Sequence, residues 1–441
     1  MGTATRARGP ARNSRGAGAQ RSRSGGRRGG SGAAPVALRT EPRASRLGPI
    51  PLAQLVLIEL GLAIVVGGAA IDDALVVPAA GVAIALALIA LLRRRQRSIP
   101  DRWATGSAYR RRKGFVPPLP EPGADPALTP AVECVPGLKS YAFLDRDRRT
   151  VGMLGDGTFL TALVLVEAGA SALRPAFGAR ALPLRVLEGA LDVDGITVES
   201  VQIVQHVQPA PAPHLPEQAI ARRSYAPLQE ATKAPALRLT WVAVKLDPEL
   251  CREAVEARGG GLEGAQKCLV RAADHVASRI TGAGFRATVL DEAGLIGALA
   301  TSACANPLAT ARAGQPDAPL TKRTKENLRS WQCDDRWHTT FSIASWPAMG
   351  RGAAPLPRLV SALTSGPALA TTFSLTVQRG PRRDATRVHG HLRVTGRSES
   401  ELNQVRRQAE RLARSAKVSL VRLDREQLPG VVASLPMGGA I

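Results

Sequence analysis

From Pro51 to Leu92 the chain runs 42 residues without a Lys or Arg, and its only ionisable side chains there are Glu59, Asp72 and Asp73. A helix that is apolar on every face has to be enclosed by protein or by lipid. Pro51–Ile71 makes about 31 Å of helix and Ala74–Leu92 about 28 Å at roughly 1.5 Å per residue, close to the ~30 Å hydrocarbon core of a bilayer. Pro78 falls in the first turns of the second stretch, where a missing N–H is best tolerated. The pattern predicts a transmembrane hairpin, spans 51–71 and 74–92, with Asp72 and Asp73 at its outer turn. Two alternatives are a buried helical hairpin of a soluble protein and a signal peptide followed by one anchor. Core helices seldom stay apolar for so long, and a signal h-region has only about 7 to 15 residues.

Eleven Lys/Arg precede Pro51 and nine lie between Arg93 and Lys113. The positive-inside bias then places both termini in the cytoplasm of a two-span cell-membrane protein. Arg93, Arg94, Arg95 and Arg97 follow the second span directly, where anionic lipid headgroups attract each basic residue by about 1 kcal/mol. Glu59 within the first span needs a partner if it is buried in hydrocarbon, which makes it a candidate interface residue; near the cytoplasmic headgroups it would simply stay wet.

The formal charge of +23 would suggest nucleic acid if it were spread evenly. It is not: residues 1–113 hold 20 Lys/Arg against 5 Asp/Glu, leaving 39 against 31 for the rest. Aromatics are only 3%, too few for stacking platforms, and no Cys/His finger spacing occurs, so no nucleic acid partner is expected. An Arg-tail nucleic-acid binder is the least favoured reading. The five cysteines are scattered and odd in number, with no CxxC pair, which suits a reducing compartment better than a disulfide framework or a zinc site. Residues 1–49, rich in Arg, Gly and Ser, read as a disordered tail, and 94–131 as a basic juxtamembrane stretch with a proline-rich linker. Residues 132–441 read as a cytoplasmic α+β domain.

Within that domain, Val151–Glu167 reads as a β-hairpin around Gly155-Asp156-Gly157. Leu237–Pro248 is a strand passing to a helix through Asp247 and Pro248. Between Gly264 and Ala283, Leu269, Ala272, Ala273, Val276 and Ile280 share one helical face, and a strand around Phe285–Leu290 follows. Later, alternating apolar residues mark strands at Phe373–Val377 and Val388–Val394. Ser398 and Glu401 then form a capping box for a helix with Leu402, Val405, Ala409 and Leu412 on one stripe. VLDEAGLIGALAT (Val289–Thr301) and RLDREQLPGVVAS (Arg422–Ser434) share LDxxxLxG after each helix. The prediction is an internal repeat of a strand, helix, strand, short-helix unit on mixed or antiparallel sheets.

Chemistry-bearing motifs are sparse. Gly259–Gly264 satisfies GxGxxG, but a helical turn separates it from the preceding strand, so a glycine loop between two helices is the expectation. No Gly-Lys pair exists, which excludes an intrinsic P-loop. Asp145-Arg146-Asp147 is a DxD that could hold a divalent ion or form a charged turn. His389 and His391 have metal-ligand parity on a strand, yet Arg387 and Arg393 share that polar face, which favours a solvated or interface face. No hydrolase spacing occurs, and neither a cofactor nor a small-molecule substrate is expected.

The basic-flanked hairpin, RRSYAPLQ (Arg222–Gln229), TWVAVKLDPELCREAVEARGGG (Thr240–Gly261), ENLRSWQCDDRWHTTFSIASWP (Glu326–Pro347) and the terminal RLDREQLPGVVASLPMGGA resemble the EccE family, a membrane component of the actinobacterial type VII (ESX) secretion system. The long tail before Pro51 departs from the family pattern. The resemblance implies a non-enzymatic subunit of the inner-membrane secretion complex. Its neighbours would be an FtsK/SpoIIIE-like ATPase and other membrane subunits. Trp331, Trp337 and Trp346 are then candidate partner-interface anchors, since tryptophan is enriched at interfaces, while Trp241 inside its strand reads as core. The rival is a membrane-anchored enzyme, such as a metal-dependent nucleotide-sugar transferase, built on Asp145, Asp147 and the glycine loop.

Overall fold

The structure, a computed structural model, describes residues 46–47, 50–72, 76–91, 93–94, 97–115, 124–168, 182–208, scattered positions between 216 and 227, 237–319, 321–347, 356–380 and 385–439. All of them belong to one compact unit, Val36–Ile441. The Arg/Gly/Ser tail lies outside the described residues except at 46–47, and Asp73 and Arg95 lie outside them as well.

Helices α1 (Leu52–Ile71) and α2 (Val76–Leu91) pack side by side. Gly61 makes that approach possible, because a Cβ there would stand 3.4 Å from Ala83 Cα. Among the described residues no helix is long and apolar enough to cross a membrane. The side chains of residues 51–55 and 57 lie outside that description, and the 16 residues of α2 make only about 24 Å of helix. The basic stretch that follows holds a further helix, α3 (Ile99–Gly114).

The domain opens with α4 (Thr129–Cys134), β1 (Lys139–Leu144), β2 (Thr150–Gly155), β3 (Leu160–Ala168), α5 (Leu184–Glu188), β4 (Ser200–Gln208) and β5 (Leu237–Leu246). It continues with α6 (Arg252–Glu256), α7 (Gly261–Gly282), β6 (Phe285–Val289) and α8 (Glu292–Ser302). After α9 (Pro307–Ala313) come β7 (Thr324–Glu326), β8 (Trp331–Cys333), β9 (Arg336–Ser345), α10 (Leu356–Thr364) and β10 (Ala370–Arg379). The chain closes with β11 (Thr386–Gly396), α11 (Glu399–Ser415), β12 (Ser419–Arg422) and α12 (Gln427–Ser434).

These strands form one twelve-stranded sheet in the order β7-β8-β9-β11-β10-β4-β5-β3-β2-β1, with β12 added to β9 and β6 to β3. The order reads the same from either edge. Every pairing in it is antiparallel, which settles the sheet type left open between mixed and antiparallel. Registers repeat too. Val289 pairs with Val164 as Arg422 pairs with Phe341. Leu290 N donates to Leu163 O at 2.9 Å as Leu423 N donates to Thr340 O at 3.1 Å. The LDxxxLxG strings therefore occupy equivalent places. The repeat extends beyond the predicted unit, taking in β1–β3 and β7–β9 and a helix before each central strand. Its two halves meet where β4 runs against β10, Ile203 opposite Leu375.

Both faces of the sheet are covered, so strand residues of either parity are apolar, as in Leu163 and Val164. On one face, α7 buries Leu269, Val276 and Ile280 against Val164, Val242 and Val244, and α11 buries Leu402, Val405 and Ala409 against Phe341, Leu392 and Val394. The opposite face is covered by α4, α8 and α12, through Ala131, Leu295, Leu299 and Val431 against Leu163, Trp241 and Trp331.

Candidate functional site

The arrangement that joins the hairpin side of the chain to the domain is built around α3. Arg112 sits in its last turn, and its guanidinium grips Glu326 of β7 with two hydrogen bonds, Nε to Oε2 at 3.1 Å and Nη2 to Oε1 at 3.3 Å. Nη2 also donates to Arg425 O at 2.7 Å. Two turns earlier on the same face, Thr105 Oγ1 donates to Glu426 Oε1 at 3.2 Å. Glu326 Oε1 in turn accepts from Leu428 N at 3.0 Å, so one carboxylate ties α3, β7 and α12 together. An arginine fork on a carboxylate fixes orientation as well as distance, which a lone lysine would not do.

Glu133 of α4 performs a similar service nearby, accepting from Arg323 N, Thr324 N and Thr324 Oγ1 at 2.8, 2.7 and 2.6 Å. Arg323 itself is buried and paired with the shielded carboxylate of Asp334, Nε to Oδ1 at 2.9 Å and Nη2 to Oδ2 at 2.7 Å. The segment from Arg323 to Glu326 is thus held on both sides by charge-assisted bonds.

Asp72 is exposed directly after α1, and its N–H donates to Gly68 O at 3.1 Å. Glu59 is exposed on α1. Arg93, Arg94 and Arg97 belong to a two-residue strand pair, with their side chains outside the described residues. Trp331 is fully buried beside His338, ring centroids 5.0 Å apart, and presents nothing to a partner in this arrangement. Trp337 and Trp346 are half-buried against the α11 core, Trp346 edge-on to Phe373 at 6.3 Å. A Cβ on Gly390 would stand 2.5 Å from the Trp346 ring, so glycine makes that seat. As expected, Trp241 is core.

Asp145 serves its own turn: its Oδ1 accepts from Arg146 N at 2.7 Å and its Oδ2 faces Arg149 at 3.4 Å. Among the described residues no group of acidic, His or Cys side chains could hold a metal ion. Gly259 and Gly260 take positive φ between α6 and α7, as does Gly261 at the first position of α7, which is the loop-between-helices reading.

The expectation of a solvated or interface face holds at exposed Arg387 and His389 and is corrected at Arg393. Along β11 that face runs from exposed at Arg387 to fully buried at Arg393. Arg393 Nη2 donates to Ser302 O at 2.5 Å and to Ser302 Oγ at 3.1 Å, while Nε and Nη1 have no hydrogen-bond partner among the described residues. Burial lowers its affinity for the proton, and burial next to Arg393 pulls His206 down to about 3. His391 falls to about 4 through burial, then through His389.

Two features escaped the reading of the sequence. Arg112 and Glu326 are 214 positions apart, and no local pattern links them. Helix α3 itself has a readable start at Pro100, but its low apolarity hid it among basic linker residues.

Residues 234–343, from just before β5 into β9, match the model of the EccE family, described as "Putative type VII ESX secretion system translocon, EccE". The match supports the EccE resemblance and, with it, a place among type VII secretion system components. No curated protein matches the chain.

Proposed function

We propose that this chain, carrying the EccE segment, is a non-enzymatic structural and assembly subunit of a type VII secretion complex. In this reading the α1–α2 hairpin lies in the cell membrane with both termini cytoplasmic, and the large sheet domain receives partner subunits. The observation that carries it is the pairing of an uncovered apolar hairpin with a domain bolted to the next helix. Val56, Leu62, Val66, Ile71, Val77, Ile84 and Leu88 all expose apolar side chains, and α1 and α2 cover only the seam between themselves. Exposed apolar surface of that extent calls for lipid or for other membrane helices. Arg112 and Glu326 then fix how the domain stands on that anchor. Arg93, Arg94, Arg95 and Arg97 meet anionic lipid, Asp72 and Asp73 face the outer side, and Glu59, Trp337 and Trp346 are offered to neighbouring subunits.

The test is purification from native membranes in mild detergent through an N-terminal tag, followed by mass spectrometry of what accompanies the protein. The N-terminal position is chosen because Met437 is buried. Co-purification of an FtsK/SpoIIIE-like ATPase with other multi-span subunits is the expected result; a solitary protein would sink the assembly role.

A further inference from the structure

Where α3 meets the domain there is a cavity of about 430 Å³, walled by Tyr109, Phe115, Pro136 and Leu428. Its charges are unevenly spent. Both carboxylates on its wall are committed, Glu326 to Arg112 and Leu428 N, and Glu133 to Arg323 N and to Thr324. Arg112 is committed to Glu326 and Arg425 O. Lys113, Lys322 and Lys325 also line the cavity, are exposed, and make no ion pair among the described residues. Lys322 and Lys325 face an adjoining cleft of about 660 Å³ as well, whose wall carries Arg312 together with Asp317 and with Asp334, the partner of Arg323.

The hollow therefore offers apolar and aromatic walls with three uncommitted ammonium groups at its rim. Glu326 is paired with Arg112, and Glu133, bonded to neutral donors, keeps its charge; against these two carboxylates the lining sets Arg112, Lys113, Lys322 and Lys325, so the wall stays net positive by two. We infer that this cavity binds a phosphate-bearing anion, with Lys113, Lys322 and Lys325 on the phosphate oxygens and the apolar wall against the rest of the ligand. Ammonium groups suit phosphate as mobile point charges, while the arginine fork is reserved for the structural pair. Its location points to the headgroup of an anionic phospholipid: Tyr109 stands about 15 Å along α3 from the end nearest the apolar hairpin. The anion site stands on geometry alone; only the lipid source rests on the membrane placement proposed above.

Full-length protein in a neutral detergent would be titrated calorimetrically with short-chain phosphatidylglycerol, with short-chain phosphatidylcholine, and with soluble glycerol phosphate. The same titrations on K113Q/K322Q/K325Q and on the charge-retaining K113R/K322R/K325R separate charge from fold, with thermal unfolding of each as the check on folding. The expected result is phosphatidylglycerol binding at least about tenfold tighter than phosphatidylcholine, weakened at least about tenfold in the Gln variant, kept in the Arg variant, and falling with added salt. Equal strength for glycerol phosphate would keep the anion site and assign it a soluble ligand. Unchanged binding of every probe in the Gln variant, or no binding by the parent protein, overturns the inference. These readouts do not depend on which proteins co-purify, so failure of the assembly role leaves them intact and the reverse.

Discussion

Arg112 Nε lies 3.1 Å from Glu326 Oε2, joining the helix that follows the apolar hairpin to a strand at one edge of the twelve-stranded sheet. Glu326 is nearly buried and Arg112 about a quarter exposed, so the pair is better shielded than a surface ion pair. Truncating Arg112 to Ala removes both bonds to Glu326 and the bond to Arg425 O. An Arg112→Ala/Glu326→Gln double-mutant cycle is expected to give a coupling of about 1–2 kcal/mol, after allowance for partial solvent screening. Limited proteolysis should show cleavage within α3 in either single variant at protease levels that leave the parent intact. Protection unchanged in both would mean that α3 is held by something else.

His206 and His391 make stability depend on pH. His206 is buried, with Nδ1 2.8 Å from Thr372 Oγ1 and Nε2 2.9 Å from Gln208 Nε2, contacts a neutral ring satisfies. Its folded value of about 3 and that of about 4 for His391 lie below the ordinary 6.5. A depressed folded value means that the unfolded chain takes up the proton first as pH falls. The contribution is thus complete above about pH 6.5 and is lost on acidification, down to about 4 for His391 and about 3 for His206. Each ring should supply a slope of about 1.4 kcal/mol per pH unit in that window. Denaturant midpoints measured from pH 7 to 5 are expected to fall, and His206→Gln should remove one ring's share of the slope. A parent protein with a flat profile over that range would contradict the assignment.

Arg393 is a buried cation that donates to a carbonyl and to hydroxyls and meets no carboxylate among the described residues. Desolvating a guanidinium without a carboxylate costs several kcal/mol, and an apolar side chain of similar length would avoid that cost. Arg393→Met is expected to leave the unfolding midpoint nearly unchanged, because the relieved desolvation of the guanidinium offsets the cost of about 1–3 kcal/mol for leaving the buried Ser302 carbonyl without a donor. A loss exceeding about 3 kcal/mol would show that the guanidinium is needed where it stands.

Features set by nearest neighbours in sequence were legible. Asp247 caps through Glu249 N at 2.9 Å, and Ser398 Oγ accepts from Glu401 N at 3.2 Å, as the capping pattern implied, while Glu401 Oε2 reaches one residue beyond the N-cap, to Arg397 N at 2.9 Å. The apolar stripe of α7 is buried as its spacing predicted. What the sequence could not show is how depth varies along one strand. Arg387, His389, His391 and Arg393 have the same parity, but only the end beneath α8 is closed over, and parity carries no information about that. The same limit applies to β3, whose one side is shared by β2 at its start and β6 at its end. Gly152 marks the crossing, since a Cβ there would lie 2.4 Å from the Asp291 backbone.

The C-terminal segment gives the sharpest stability test. From the last turn of α12 onward the chain lies over the polar centre of the sheet, and side chains of three strands hold it. Thr161 Oγ1 donates to Met437 O at 3.1 Å, Ser200 Oγ to Gly438 O at 2.5 Å, Gln202 Nε2 and Ser374 Oγ to Ala433 O at 2.8 Å each, and Gly438 N donates to Gln202 Oε1 at 2.8 Å. Gly438 takes φ +95°, and a Cβ on it would stand 2.4 Å from Lys245 Cβ. Gly157 has a similar φ of +97° with nothing within 4 Å of its would-be Cβ, so it isolates the backbone cost. Gly157→Ala should therefore lose about 1–2 kcal/mol, the ordinary cost of a left-handed alanine. Gly438→Ala adds a steric conflict and the displacement of up to five buried hydrogen bonds, and is expected to lose more than about 3 kcal/mol. Equal losses in the two variants, read as denaturant midpoints of the full-length protein, would show that the tail is not seated on the sheet.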